Sequence, residues 1–265
     1  MKSPRIRIAR ADRALVDSLV EAYRRQKSQL EVFREQLLPA LVGSTSLAQH
    51  IHSVRWRMKE PEHLREKLVR KVLEARGKGR PLEITPENLL RRINDLVGIR
   101  ILHLYTRQIR HIDESLREVF AESKFELLEG PFARTWDDES RAFFKECGIK
   151  TRTSPSMYTS VHYVISSASR TKMTAEIQVR TLMEEVWGEV DHSINYPSQS
   201  GSLACREQLK VLARVTSGAT RLVDSIFATL DDHHRISRMT RTATATPANI
   251  LVATTGRRQA RRRSF

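Results

Sequence analysis

The chain has 265 residues, of which 40% are hydrophobic, so we expect one domain, or one domain with appendages, around a sizeable core. No apolar run approaches the roughly 18 residues that a membrane span needs, and no apolar stretch follows the basic residues 1–10. We therefore expect neither a membrane protein nor a secretory signal. The two cysteines form no disulfide framework and no metal-binding spacing, which favours the cytoplasm.

The net charge of the chain is +15. Residues 235–265 contain eight Arg and no acidic residue, which leaves a net charge of +7 on the rest of the chain. A basic body favours a polyanionic ligand such as a nucleotide, RNA or an acidic membrane, although charge that serves only solubility gives the same count. The composition of 236–265, rich in Thr, Ala and Arg, predicts a basic disordered tail, whose arginines either touch RNA or are solvated.

Residues 13–38 carry apolar side chains at helical spacing, which predicts one or two packing helices with no evident chemistry. The segment Pro39–Ser46 interrupts this pattern and is expected to end it. We assign residues 1–50 to these N-terminal helices.

Two groups of cations follow within residues 53–71. Arg55, Arg57 and Lys59 alternate, so an extended segment would direct all three side chains to one side. Pro61 suits the first turn of a helix. That helix would direct Leu64, Leu68 and Val72 to the core, and His63, Lys67 and Arg70 to another stripe. A strand and a helix that both offer cations can surround a triphosphate, but a solvated basic helix face is the commoner case.

A central strand is predicted between Asn94 and Leu104, because a near-continuous apolar run follows Asp95. Just before it, Thr85-Pro86-Glu87 is expected to cap a short helix that ends at Arg92. Asp95 and Arg100 interrupt the apolar run. A buried carboxylate and a buried guanidinium are costly unless they pair with each other or bind a ligand, and both possibilities stay open.

The segment Met157–Ile165 is predicted to be a strand with Tyr158, Ser160 and His162 on one face. An aromatic ring such as Tyr158 can stack on a base, and ordinary packing of an aromatic residue in a sheet is the alternative. His162 fits an interior histidine equally well. Other predicted elements are a helix over 109–120, a strand and loop within 125–136, and a helix over 138–146.

The stretch Thr174–His192 changes its period in the middle. Its first half alternates apolar residues with Glu176, Gln178 and Arg180, which predicts a strand with three polar groups on one face. Thr181 and Glu184 have the spacing of a capping box, and a helix with Leu182, Val186 and Val190 on its buried side is expected to follow. Polar groups at the end of a strand beside a helix start are typical of ligand sites in open sheets, and a solvated edge strand is the alternative.

A long helix is predicted from Leu203 to Leu230. The run Asp231-Asp232-His233-His234 suggests a metal, but nothing nearby in the sequence completes a site. Taken together, the polar groups listed above form the inventory of a metal-dependent transfer from a nucleoside triphosphate. Carboxylates can hold Mg²⁺, cations can neutralise phosphates, and an aromatic ring can hold a base.

At this point five motifs, in order, resemble the RelA/SpoT-type alarmone synthetase domain over roughly residues 50–230. The motifs are Arg-Met-Lys-Glu-Pro with Lys-Leu-Val-Arg-Lys at 57–71, Asp-Leu-Val-Gly-Ile-Arg at 95–100, Tyr-Thr-Ser-Val-His-Tyr at 158–163, Glu-Ile-Gln-Val-Arg-Thr at 176–181, and Trp-Gly-Glu-Val-Asp-His at 187–192. The resemblance implies an α+β, nucleotidyltransferase-like synthetase fold with a mixed five-stranded sheet flanked by helices. We place this domain, with its C-terminal helix, at residues 50–232.

The resemblance also implies a reaction: transfer of the β,γ-pyrophosphate of ATP to the 3′-hydroxyl of GDP or GTP. It assigns Arg57, Lys59, Lys67, Arg70 and Arg100 to ATP. It assigns Asp95 and Glu176 to Mg²⁺, and these two with Gln178 to catalysis. It assigns Tyr158, Ser160, His162, Arg180 and Glu185 to the acceptor. Glu176 also matches the family's candidate base.

Several departures from the family pattern concern the acceptor. The loop 152–157 lacks the expected Lys…Gly-Tyr pattern, Glu185 stands where small synthetases often carry Asn, and His63 stands where many carry Ser. The chain resembles the toxic branch of small synthetases, some of which modify the 3′ end of tRNA. The acceptor is therefore GDP or GTP by family default, with tRNA as the rival. The absence of a His-Asp dipeptide makes a built-in hydrolase unexpected.

A hypothesis of another class is a non-catalytic regulator that binds nucleotide or RNA. Retention of Asp95, Glu176, Lys59 and Arg70 argues against it, since a silent protein need not keep them. An antitoxin partner and assembly into a homo-oligomer are compatible with the sequence and are not required by it.

Overall fold

The computed structural model describes residues 9–195 and 201–244. The chain divides into two compact units, Met1–Asp224 and Ser225–Phe265. The first unit contains the sheet and all the predicted site residues. Within the described residues, the second unit is the last part of one long helix.

Eight α-helices and six strands make up the described residues. The helices are α1 (Arg10–Val42), α2 (Thr45–Ala48), α3 (Pro61–Gly77), α4 (Leu89–Arg92), α5 (Ile109–Glu122), α6 (Asp138–Glu146), α7 (Leu182–Asn195) and α8 (Leu203–Thr244). The strands are β1 (Ser53–Met58), β2 (Val97–His103), β3 (Glu126–Thr135), β4 (Lys150–Thr153), β5 (Ser160–Ser166) and β6 (Thr174–Thr181). No helix among them combines the length and the apolar character needed to cross a bilayer.

The six strands form one mixed sheet in the order β1-β2-β6-β5-β3-β4. The α+β class is confirmed, but the expected strand number of five is corrected to six. The additional strand is β4, whose residues Lys-Thr-Arg-Thr are mostly exposed. A short polar edge strand has no apolar alternation, so its sequence carries no strand signal.

The sheet has one apolar and one polar face, as alternation of side chains requires. On the apolar face Ile99, Ile177 and Tyr163 share a core with the buried residues of α1, α3 and α5. Because α1 belongs to this core, the N-terminal helices are part of the same unit as the sheet. The polar face contains the predicted site.

Several predicted element boundaries are corrected. Helix α1 continues through Pro39 to Val42, where Gly43 N–H bonds to the Pro39 carbonyl, and buried Leu37 and Leu41 hold this last turn in the core. Helix α4 begins only at Leu89, because the side chain of Asn88 accepts the N–H of Thr85 and forms a turn instead.

Helix α8 continues to Thr244, so the predicted disordered tail is helical over 236–244. This segment has no Pro or Gly that would interrupt a helix. The rest of the predicted tail, 245–265, lies outside the described residues.

Helix α7 starts as predicted but turns a different face inward. The Glu184 N–H bonds to the Thr181 hydroxyl at 3.3 Å, which is half of the predicted capping box. Val186 and Val190, expected in the core, are 54% and 37% exposed, whereas Glu184, Glu185 and Trp187 are buried. The acidic residues face inward because their partners lie on the polar face of the sheet, and Trp187 donates to the Leu209 carbonyl of α8.

Candidate functional site

The register of the central strands brings the predicted polar residues onto one face. Gly98 pairs with Arg57 on one side and with Glu176 on the other, and Arg100 pairs with Gln178. A cleft of about 300 Å³ opens over this face. Five predicted site residues line it: Arg57, Asp95, Arg100, Glu176 and Gln178.

Asp95 lies directly before β2 and binds two lysines from different elements. Lys59, which follows β1, contacts Asp95 Oδ2 at 2.9 Å, and Lys67 of α3 contacts Oδ1 at 2.7 Å. Burial by itself would raise the pKa of Asp95, but the two ammonium groups outweigh burial and lower it. Asp95 is therefore a carboxylate at neutral pH, with two cations held at the cleft.

Arg100 does not pair with Asp95, which excludes a purely structural ion pair between these two residues. Its Nη1 contacts Glu185 at 3.2 Å and also bonds to Glu189 on α7. Beside it, Gly98 leaves room for Arg57, since a Cβ at Gly98 would lie 3.4 Å from Arg57 Cγ. The two arginines thus occupy neighbouring strands at the floor of the cleft.

Glu176 is held by two side-chain donors. Its Oε1 lies 2.9 Å from His162 Nδ1, and its Oε2 accepts from Gln178 Nε2 at 3.2 Å. Since a carboxylate only accepts, His162 Nδ1 donates to Glu176, and His162 Nε2 lies 3.0 Å from the Ser160 hydroxyl. Burial raises the pKa of Glu176, but the hydrogen bond and charge of His162 outweigh it, so the net shift is downward.

Tyr158 joins this network from the loop before β5. Its hydroxyl donates to Gln178 Oε1 at 3.1 Å, and its backbone N–H donates to the Ser154 hydroxyl. The strand itself begins at Ser160. The prediction that Tyr158 belongs to this strand is therefore corrected, because Tyr158 precedes it. Because the same amide of Gln178 contacts Glu176, the position of the Tyr158 ring is tied to that of the carboxylate.

Arg180 and Glu185 form a buried ion pair at the end of β6. Their side chains are only 4% and 6% exposed. The guanidinium group of Arg180 lies 5.5 Å from the Tyr158 ring centre and fills the space beside Gly188, where a Cβ would approach its Nη1 to 2.6 Å. Arg55 also reaches Glu185, at 3.5 Å, so this carboxylate meets three guanidinium groups.

Asp95 and Glu176 fit a magnesium ion better than a transition metal. Both line the cleft, and the charge of Asp95 tends to raise the pKa of Glu176, as expected for neighbouring carboxylates. Across residues 9–195 and 201–244, no group of three or more His, Cys, Asp or Glu could hold a metal. Mg²⁺ commonly takes one or two carboxylates, and substrate phosphates and water complete its coordination. The pair could therefore hold Mg²⁺ together with a phosphate ligand, and the magnesium site stays a prediction.

The acceptor residues lie together, whereas Arg70 does not join the cleft. Ser160 and His162 are buried under the cleft and support its wall. Arg70 is exposed on α3 and is not among the residues that line the cleft. Its assignment to ATP stays a prediction.

Arg55, one of the predicted cations, also lines the cleft, whereas sequence reasoning missed the lining residues Trp56, Glu189 and His192. Glu189 and His192 lie four and seven residues after Glu185, which is the spacing of one helix face, and this signal could have found them.

Comparison with known proteins gives the site its context. Residues 56–201 match the model of the region found in RelA / SpoT proteins. GTP pyrophosphokinase YjbM of Bacillus subtilis (strain 168) is 30% identical over 160 residues, which are 60% of this chain and 65% of that relative. The match thus spans slightly less than two thirds of that relative.

Two solved structures share the fold. A GTP pyrophosphokinase family protein from Streptococcus pneumoniae superposes with a TM-score of 0.53 at 20% identity, over 85% of this chain and 97% of that one. The small alarmone synthetase 1 from Bacillus subtilis superposes with a TM-score of 0.51 at 20% identity, over 82% and 97%. Because the family model matches more than half of the chain, this protein belongs to the family defined by the region found in RelA / SpoT proteins.

Proposed function

We propose that the chain is an ATP-dependent pyrophosphokinase that transfers the β,γ-pyrophosphate of ATP to the 3′-hydroxyl of GDP or GTP. The observation that carries the proposal is the meeting of Asp95 and Glu176 in one cleft, with Lys59 and Lys67 bound at its wall. The name of the matched relative, GTP pyrophosphokinase, supports a guanosine nucleotide as acceptor.

The phosphates of ATP would bind at Lys59, which follows β1, and at Lys67 of α3. Arg57 of β1 and Arg100 of β2 would hold the adenine between them. Both lysines pair with Asp95 in the structure, so a triphosphate would exchange these contacts for contacts to its own oxygens. Transfer of a phosphoryl group depends mainly on this kind of positioning and charge neutralisation.

Asp95 and Glu176 are the residues that would hold Mg²⁺. When bound, the ion would supply positive charge to the β- and γ-phosphate oxygens and orient them. Both carboxyl groups have lowered pKa values, so both are ionised near neutral pH, as a metal ligand must be.

The transfer itself is an in-line displacement at the β-phosphorus of ATP. The acceptor 3′-oxygen forms the new bond to this phosphorus, the bond to the α-phosphate oxygen breaks, and AMP leaves. Glu176 is our candidate to take the proton of the 3′-hydroxyl on a carboxylate oxygen, while His162 and Gln178 hold the group in place. Tyr158 would stack on the acceptor base, and Gln178 links the Tyr158 hydroxyl to Glu176.

The test is incubation of the purified protein with γ-labelled ATP, Mg²⁺ and GDP or GTP. We expect label on the guanosine nucleotide and release of one AMP for each transfer. The proposal is defeated if neither acceptor is labelled and no AMP is formed. ATP binding without transfer would instead favour a non-catalytic regulator.

A tRNA 3′ end is the second candidate acceptor, because of a basic edge of the sheet. Lys150 and Arg152 of β4 and Arg134 of β3 are exposed, and no described acidic side chain lies within ion-pair distance of them. Arg152 lies 4.1 Å from the ring centre of Phe132, which stacks on His162 at 5.3 Å. Unpaired cations next to a site residue suit a phosphodiester backbone. Deacylated tRNA in the same assay distinguishes the two acceptors, because label on the tRNA and none on GDP or GTP would favour the tRNA 3′ end.

A further inference from the structure

The N-terminal helix α1 lies outside the segment 56–201 that matches the family, and it offers no side chain to the cleft. One of its residues nevertheless contacts the backbone of a cleft residue. Tyr23 is fully buried, and its hydroxyl donates to the Lys59 carbonyl over 2.5 Å. We infer that Tyr23 is a positioning residue for Lys59, an inference that rests on the proposed function because it assigns Lys59 to the ATP phosphates.

The contact falls at a gap between two hydrogen-bond ladders. Strand β1 ends at Met58, and the first bond of α3 runs from the Leu64 N–H to the Glu60 carbonyl. The carbonyl of Lys59 lies between these ladders, and Tyr23 supplies its donor. A buried carbonyl without a donor is costly, so this hydrogen bond has a clear local role.

The backbone of Lys59 is thereby held at both of its polar groups. Its N–H donates to the Leu96 carbonyl at 2.9 Å, next to Asp95, while its carbonyl accepts from Tyr23. With both of these backbone groups held, the direction of the Cα–Cβ bond of Lys59 is fixed, and from this base Nζ reaches Asp95 Oδ2 at 2.9 Å. A displacement of about 1 Å in a group that binds the reacting phosphates is enough to reduce transfer strongly.

A purely structural role is the competing explanation, since a buried tyrosine usually finds a partner for its hydroxyl. The chain offers a matched control in Tyr163 of β5. Tyr163 is also fully buried, and its hydroxyl donates to Asp113 at 3.0 Å. It lies on the apolar face of the sheet, away from the cleft, so Tyr163→Phe removes a comparable hydroxyl without touching Lys59.

The experiment compares Tyr23→Phe and Tyr163→Phe in the full chain, well below both melting temperatures. We expect Tyr23→Phe to raise the dissociation constant of a non-hydrolysable ATP analogue and the KM for ATP about two- to tenfold, the effect of one typical hydrogen bond. The KM for the acceptor should stay unchanged. Tyr163→Phe should leave both KM values at the wild-type level.

A second arm tests whether the effect passes through Lys59. In a Lys59→Ala background, Tyr23→Phe should cause no further loss of ATP affinity. The inference is overturned if Tyr23→Phe behaves like Tyr163→Phe, if it shifts both KM values equally, or if its effect persists without Lys59.

Failure of the proposed function gives a different pattern. Wild-type protein that binds the ATP analogue but transfers nothing would reject the pyrophosphokinase and still test Tyr23 through the dissociation constants. Wild-type protein that binds no ATP would overturn both.

Discussion

The polar face of the sheet has two halves that treat charge in opposite ways. On the half formed by β1 and β2, Arg55 is 63% exposed and the cations border an open cleft. On the half formed by β5 and β6, Arg180 is 4% exposed, and Glu185, Tyr158 and His162 complete a continuous internal network. The first half holds its cations at an open cleft, most of them paired with Asp95, Glu185 or Glu189, whereas the second half buries its charged groups and shares Glu185 with the first.

This difference indicates that the first half binds ligand and the second half holds the site in one geometry. Accessible cations gain most from a ligand that brings negative charge, and a closed network holds its members in one geometry. Glu176 belongs to both halves, since it lines the cleft and accepts from the network. The predictions below test whether the two halves respond differently to substitution.

The largest effect is expected at Glu176. Glu176→Gln removes the charge and the proton acceptor while it keeps the shape, so we expect the rate of pyrophosphate transfer to fall about a hundredfold or more. The measurement is AMP release at saturating ATP. Glu126→Gln, which removes an exposed carboxylate on β3, is the control and should retain activity. A Glu176→Gln variant with more than a tenth of the wild-type rate would remove Glu176 from catalysis.

The buried half should respond in stability. Glu185→Ala leaves the Arg180 guanidinium buried without its carboxylate, so the free energy of unfolding should fall by about 3–5 kcal/mol. Glu189→Ala removes the half-exposed partner of Arg100 and should cost less than about 1 kcal/mol. Denaturant titration of both variants gives the comparison. Equal losses would mean that the two halves do not differ in the way described above.

Glu184, which is also buried, predicts a pH dependence of the free energy of unfolding. Burial raises the pKa of this carboxyl group from its ordinary value of 4.5 to about 7, with a smaller opposing effect from its hydrogen bond to the Thr159 backbone. Between pH 4.5 and 7 the Glu184 carboxyl group is ionised in the unfolded chain but still protonated in the folded one. Glu184 therefore lowers the free energy of unfolding progressively as the pH rises through this window, and it causes no further loss above about pH 7. Glu184→Gln should therefore gain stability relative to wild type across this window. A constant difference from pH 4.5 to 7 would contradict the shift.

The smallest effect is expected at Arg70. Lys67→Ala removes a direct partner of Asp95 and should raise the KM for ATP about ten- to a hundredfold, since a hydrogen bond to a charged group is worth about 1.5–3 kcal/mol. Arg70→Ala removes an exposed cation outside the cleft lining and should change this KM about twofold. A tenfold change at Arg70 would show that the helix or its side chain moves toward the cleft when ATP binds.

Lys67 and Arg70 also show what helical spacing leaves undecided. Spacing places both residues on the same side of α3, but only the structure shows that Lys67 contacts Asp95 while Arg70 is exposed. In α7, the apolar residues Val186 and Val190 predicted the wrong buried face. Glu185 pairs with Arg180 at the end of the preceding strand and with Arg55 and Arg100 of two other strands, and the apolar spacing of α7 does not include these partners.

The sequence by itself determined the sheet strands around the site, the α+β class, and the two carboxylates with their surrounding cations. It could do so because alternation and motif order are local properties of the chain. Tertiary structure alone decided which charges pair: Asp95 with two lysines rather than with Arg100, and Glu185 with Arg180 under α7. It also decided that Tyr23 of a plain amphipathic helix supports Lys59. The physical reason is that the energy of a buried polar group depends on the donors and acceptors that folding brings within about 3 Å, and spacing along the chain does not encode those distances.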